Sequence, residues 1–145
     1  MGRLALTLAV AVLLPAGSAW AQSAEQVAVE AALDDSAIGW NEGDLDRFLG
    51  VYADDPATSY VGGDAMLRGV DAIRDRYSGG YGFTTGDQGT LGFETLDFRM
   101  LGADHALIIV RYHLAYDGAD PATGIASVVF ADGPDGWRIV ADHSS

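Results

Sequence analysis

"WNEGDLDRFLGVYADD", Trp40 to Asp55, contains the end of one helical pattern and the whole of a second. Gly43 stops the first, because glycine takes the left-handed conformation that closes a helix at little cost. Asp44 follows in the place of an N-cap, where its carboxylate can accept from the free N–H groups of a new first turn. From there Leu45, Phe48, Leu49 and Tyr52 recur at i, i+3, i+4 and i+7, one apolar helical face. Asp54-Asp55-Pro56 then breaks the pattern.

Upstream, Ala24 to Asn41 reads as a long helix. Val29, Leu33, Ser36, Ala37 and Trp40 fall on one stripe, with Glu30, Asp34 and Asn41 on the polar side. Downstream, "ATSYVGG" (Ala57 to Gly63) reads as a short strand closed by glycines. "GVDAIRDRY" (Gly69 to Tyr77) reads as a third helix with Val70, Ile73 and Tyr77 on one face. Ser78 to Gly89 is a glycine-rich loop. Four strand patterns follow: Thr90–Leu101, His105–Asp117, Ile125–Ala131 and Trp137–His143. Helices first and strands last imply an α+β fold with an antiparallel sheet.

The first 21 residues stand apart from this pattern. Arg3, the apolar run Leu4–Leu14, the breakers Pro15 and Gly17, and Ala19-Trp20-Ala21 have the layout of a cleaved export signal. The apolar run is too short to span the roughly 30 Å hydrocarbon core of a bilayer as a helix. The expected product is one exported domain, Gln22 to Ser145, periplasmic or secreted, with no membrane anchor after cleavage.

Composition narrows its chemistry. The 145-residue chain has no cysteine, which removes disulfides, thiol nucleophiles and thiolate metal sites. All eight basic residues are arginine, so there is no lysine for a Schiff base or for anchoring pyridoxal phosphate. The net charge of −13 becomes more negative once Arg3 is removed and repels nucleic acid. His105, His113 and His143 are scattered without ligand spacing, so no metal is expected, and no motif points to a cofactor.

Alternation along the strands assigns faces. In His105–Asp117, Ala106, Ile108, Val110, Tyr112, Leu114 and Tyr116 form the apolar set, opposite Arg111 and His113. In the last strand Trp137, Ile139, Ala141 and His143 share the core-facing row, which leaves Asp142 on the other side.

"WNEGDLDRFLGVYADD", "LRGVDAIRDRY" (Leu67 to Tyr77) and "GWRIVADHSS" (Gly136 to Ser145) resemble the nuclear transport factor 2-like superfamily, in particular its SnoaL-like, ketosteroid-isomerase-homologue group. The resemblance covers essentially the whole chain after residue 21. It implies a cone-shaped fold in which a curved antiparallel sheet wraps over a long N-terminal helix and encloses a pocket. It also implies a homodimer formed through the outer sheet face. Members include isomerases, polyketide cyclases, dehydratases, epoxide hydrolases and proteins that only bind or assemble, so the site has to decide the function. Counted along the family pattern, the general-base aspartate of the ketosteroid isomerases falls at Tyr60 and their tyrosine donor at Ala37. Both functional residues are absent here.

Several candidates remain. An imidazole can take up and return a proton near neutral pH, so His143 is a candidate proton shuttle, or it is the hydrogen-bonded end of a strand. Arg111 and His113 are spaced to bind a carboxylate, or they face a subunit interface or solvent. Asp97, Arg99 and Asp142 suggest an Asp-Arg-Asp set like that of the family's epoxide hydrolases, or an ordinary surface ion pair. Trp40, Tyr60 and Tyr112 form the expected pocket wall, with the tyrosines as donors to a developing oxyanion or simply as core. The leading expectation is a small, mostly hydrophobic organic ligand in an apolar cavity. The alternatives are a cofactor-free isomerase, cyclase or dehydratase using His143 with Tyr60 or Tyr112, and a non-catalytic assembly module.

Overall fold

A computed structural model describes residues 22–145; the expected export signal lies outside the described residues. Helix α1 runs Ala24–Glu42, opened by Ser23, whose side chain accepts from the Gln26 N–H at 3.1 Å. Gly43 closes it in the left-handed region (φ 72°), and Asp44 caps α2 (Leu45–Leu49) by accepting from the Arg47 N–H at 2.9 Å. The stripe Val29, Leu33, Ser36, Ala37 and Trp40 is buried as its spacing predicts. Gly39 lets the two helices touch: a Cβ there would lie 2.5 Å from the Phe48 nitrogen. Beside it the Ser36 hydroxyl donates to the Phe48 carbonyl at 2.8 Å, filling an acceptor at the close crossing.

Helix α2 is shorter than its apolar repeat suggests. The chain leaves it at Gly50, and Val51–Ala53 runs alongside the last strand. The Ile139 N–H donates to Val51 O at 2.8 Å, and the Ala53 N–H donates to Ile139 O at 2.9 Å. Tyr52 is therefore a sheet-side residue rather than part of a helical face. Strand pairing overrides local helical periodicity here, because the paired backbone groups would otherwise be buried without partners.

A hairpin follows, β1 (Ser59–Gly62) and β2 (Ala65–Arg68), turning at Gly63 with φ 61°. Helix α3 (Val70–Gly80) buries Ile73 and Tyr77. The long strands are β3 (Thr90–Met100), β4 (His105–Ala115), β5 (Ala122–Gly133) and β6 (Gly136–Ser144). The six strands form one curved sheet in the order β2-β1-β6-β5-β4-β3. Every neighbouring pair is antiparallel except β1 with β6, so the sheet is mixed where the sequence implied antiparallel throughout. The core lies between its concave face and α1, centred on Val29, Leu49, Ile73, Ile108, Val110 and Phe130.

One irregularity in β6 governs the site. Val129 faces Ala141 but Phe130 faces Ile139, so Val140 is an extra residue, a β-bulge. Ile139 and Asp142 are both buried although they are three apart, a spacing that regular alternation forbids.

Candidate functional site

The bulge exchanges the faces expected for the chain's last residues. His143, read as core-facing, is exposed on the outer side of the sheet. Asp142, read as outward, turns inward and is only 8 % exposed. It lines an apolar, partly open cavity of about 130 Å³ between α1, α2, α3 and the concave side of the sheet.

Both carboxylate oxygens of Asp142 are held. Tyr52 Oη donates to Oδ2 at 2.7 Å and Ser144 Oγ donates to Oδ1 at 2.9 Å. Burial raises the Asp142 pKa above the usual carboxylate value, while these two hydrogen bonds and the neighbouring His143 pull it back. Tyr52 is pushed well above an ordinary phenol, chiefly by burial and then by Tyr77 and Asp142. It therefore stays protonated at neutral pH, where its hydroxyl can donate to Asp142. Tyr77, beside the same groups, is raised for the same leading reason. A carboxylate of raised basicity, held by a protonated phenol, is equipped to take a proton from a ligand and return it.

Trp40, Tyr60 and Tyr112, the expected wall, all line the cavity and have other contacts as well. Trp40 lines the cavity, but its indole N–H is shared between the carbonyls of Gln88 (3.1 Å) and Gly89 (3.2 Å). Its ring meets Phe48, Tyr77, Tyr81 and Phe83 edge-on, which fixes the loop after α3 against α1. Tyr112 lies across Gly124, where any Cβ would collide with its hydroxyl, and it donates to Ser145 O at 3.2 Å. Tyr60 lies along its own strand over Gly62 in the same way and stacks edge-on with Tyr77 at 5.8 Å. Burial leads the causes that raise its pKa.

Arg111 and His113 stand on the opposite face of β4 from the cavity, as alternation requires. Arg111 donates to Glu94 at 2.9 Å and His113 Nε2 is 3.7 Å from the same carboxylate, so neither reaches a cavity ligand. Asp97 and Arg99 pair with each other in solvent, and Asp142 does not join them. Sequence reasoning missed Tyr52 and Ser144. Asp142 beside the apolar run Ile139–Ala141 is the available signal, and regular alternation puts it on the outer face.

Outside comparisons agree with this architecture. The SnoaL-like domain profile matches residues 29–145. The chain belongs to the SnoaL-like family. No curated protein matches the sequence. Among solved structures, a nuclear transport factor 2-like protein of unknown function from Shewanella oneidensis superposes with a TM-score of 0.76 at 25 % identity, covering 82 % of this chain and 97 % of that one. A ketosteroid isomerase-like protein from Erwinia carotovora atroseptica gives 0.69 at 19 %, covering 86 % and 97 %. A candidate scytalone dehydratase from Novosphingobium aromaticivorans gives 0.68 at 12 %, covering 83 % and 82 %. The last two likenesses speak for the fold alone.

Proposed function

We propose that this SnoaL-like domain binds a small, mostly apolar organic molecule in its cavity and moves a proton on it without a cofactor. The observation that carries the reading is the buried Asp142 carboxylate, held by Tyr52 and Ser144 on the wall of an apolar cavity. A titratable group desolvated beside a ligand-sized space is a common mark of acid–base sites. Asp142 would remove a proton from carbon next to a carbonyl, and a phenol of Tyr60 or Tyr77 would donate to the enolate oxygen. Returning the proton to another carbon gives isomerisation; loss of a β-hydroxyl as water gives dehydration. A cavity of about 130 Å³ suits a single ring, since an apolar cavity of about 150 Å³ takes up benzene. Catalysis by His143 is not part of this reading, because that ring faces away from the cavity.

The test is deuterium exchange into the α-carbon of 2-cyclohexen-1-one in heavy water, followed by proton NMR. Exchange above the buffer rate is expected for the unaltered protein and for His143→Ala. In Asp142→Asn it should fall by about a hundredfold or more, the usual contribution of a general base. Exchange surviving in Asp142→Asn rejects the assignment.

Two further parts of the reading concern the setting of the domain. Residues 1–21 act as a cleaved export signal, so the exported protein should begin at Gln22 by intact mass. The outer sheet face carries Ile125 at 43 % exposure beside the half-buried Leu107, Ile109 and Val129, which supports a homodimer through that face. Sedimentation should give twice the chain mass, and Ile125→Arg should reduce it to one chain.

A further inference from the structure

Over two tyrosines of the cavity wall, Tyr60 and Tyr81, lies an arginine without a counter-ion among the described residues. The chain carries 21 acidic residues against eight arginines, yet three of the described arginines have no carboxylate partner. Arg47, Arg74, Arg99 and Arg111 each pair with one. Arg68 and Arg138 donate to the backbone carbonyls of Ala57 and Trp137. Arg76, on α3, has no carboxylate partner among the described residues, and its Nε–H is buried with no acceptor. Its guanidinium instead lies over two phenol rings, with Cζ 5.3 Å from the centroid of Tyr60 and 5.9 Å from that of Tyr81. The polar contact is a long one, Arg76 to Tyr81 Oη at 3.4 Å. Both tyrosines line the cavity.

A cation held on aromatic faces keeps its charge and most of its N–H donors available. The planar fork that remains matches a carboxylate in geometry as well as charge. We propose that Arg76 is the anion end of the cavity, so that its ligand is a small monocarboxylic acid with an apolar body of about one ring. The ring occupies the space between Trp40 and Asp142, and the carboxylate displaces the long Tyr81 contact to satisfy Arg76. This deepens the small-molecule reading above and rests on it. The strongly negative chain disfavours anions everywhere else on its surface, so retention of one at this edge is diagnostic.

Isothermal titration of the purified protein with benzoate and with benzyl alcohol, a neutral molecule of similar size, tests the proposal. Benzoate should bind about tenfold or more tightly than the alcohol, the range of a charge-assisted hydrogen bond, and added salt should weaken benzoate alone. The preference should collapse to about one in Arg76→Met and persist in His143→Ala, whose side chain lies outside the cavity. Arg76→Lys, which keeps the charge and the stacking, should retain part of it and guards against misfolding of the methionine variant. Equal affinities in the unaltered protein, or a preference that survives Arg76→Met, overturn the role of Arg76 while leaving the cavity reading intact. If neither compound binds, the small-molecule reading falls and this proposal with it.

Discussion

Replacing Tyr52 with phenylalanine removes one oxygen and little else, because the ring keeps its packing. The lost contact is a 2.7 Å hydrogen bond to a buried carboxylate. A hydrogen bond to a charged group contributes about 1.5–3 kcal/mol, and a neutral one about 1 kcal/mol. The cost of Tyr52→Phe should therefore be about 1.5–3 kcal/mol where Asp142 is ionised and nearer 1 kcal/mol where it is protonated. For a domain of this size that corresponds to a melting point lowered by about 5–10 °C at pH 8. The sign follows from linkage. Burial raises the folded-state pKa of Asp142, so its contribution is most favourable below the unfolded value and declines as pH rises through the folded one. Tyr52 limits that decline by favouring the carboxylate, so its loss hurts most at high pH. Urea unfolding from pH 5 to pH 8, read by tryptophan fluorescence with the denaturant slope checked for constancy, measures the effect. A cost below about 0.5 kcal/mol at pH 8 would refute a hydrogen bond to an ionised Asp142.

Asp142→Asn should gain stability relative to the unaltered protein as pH rises, because it removes the buried charge; a stability difference that is flat or falls with pH contradicts this. Gly39→Ala should cost about 1–3 kcal/mol by forcing α2 away from α1, and unchanged urea midpoints would mean that the crossing is looser than 2.5 Å from Cβ to backbone implies. His143→Ala should change stability by less than about 0.5 kcal/mol, the usual range for an exposed side chain, and a larger loss in urea unfolding would mean that the ring has a partner. Ser23→Ala should cost about 0.5–2 kcal/mol through loss of the α1 cap, seen as fraying of the first turn by amide exchange.

The helical half of the fold is legible because its signals are local. Gly43 and Asp44 need only their own neighbours to be placed, and the α1 stripe projects onto the core as its period requires. The four long strands are equally clear from their alternation and glycine-rich breaks. What escapes is non-local. The four residues of β2 are too few to alternate convincingly. The parallel pairing of β1 with β6 joins segments separated by most of the domain. Tyr52 satisfies a helical repeat and is taken instead by a strand. The site suffers most, because a single extra residue at Val140 reverses everything after it. Alternation therefore gave His143 the place that Asp142 holds, while Tyr60, Trp40 and Tyr112, on segments without that bulge, do line the cavity. The family pattern could not repair the error, since its isomerase positions hold Tyr60 and Ala37 here.

The central claim is that Asp142 meets a small molecule inside the domain. Carbon-detected NMR of the aspartate carboxyl resonances during titration with 2-cyclohexen-1-one tests it most directly. The account predicts a saturable movement of the Asp142 carboxyl resonance, with the Tyr52 ring carbon beside its hydroxyl moving in parallel and the His143 ring unmoved. A saturable response confined to the outer face around His143 and Arg111, or none at Asp142 at any concentration, would contradict it.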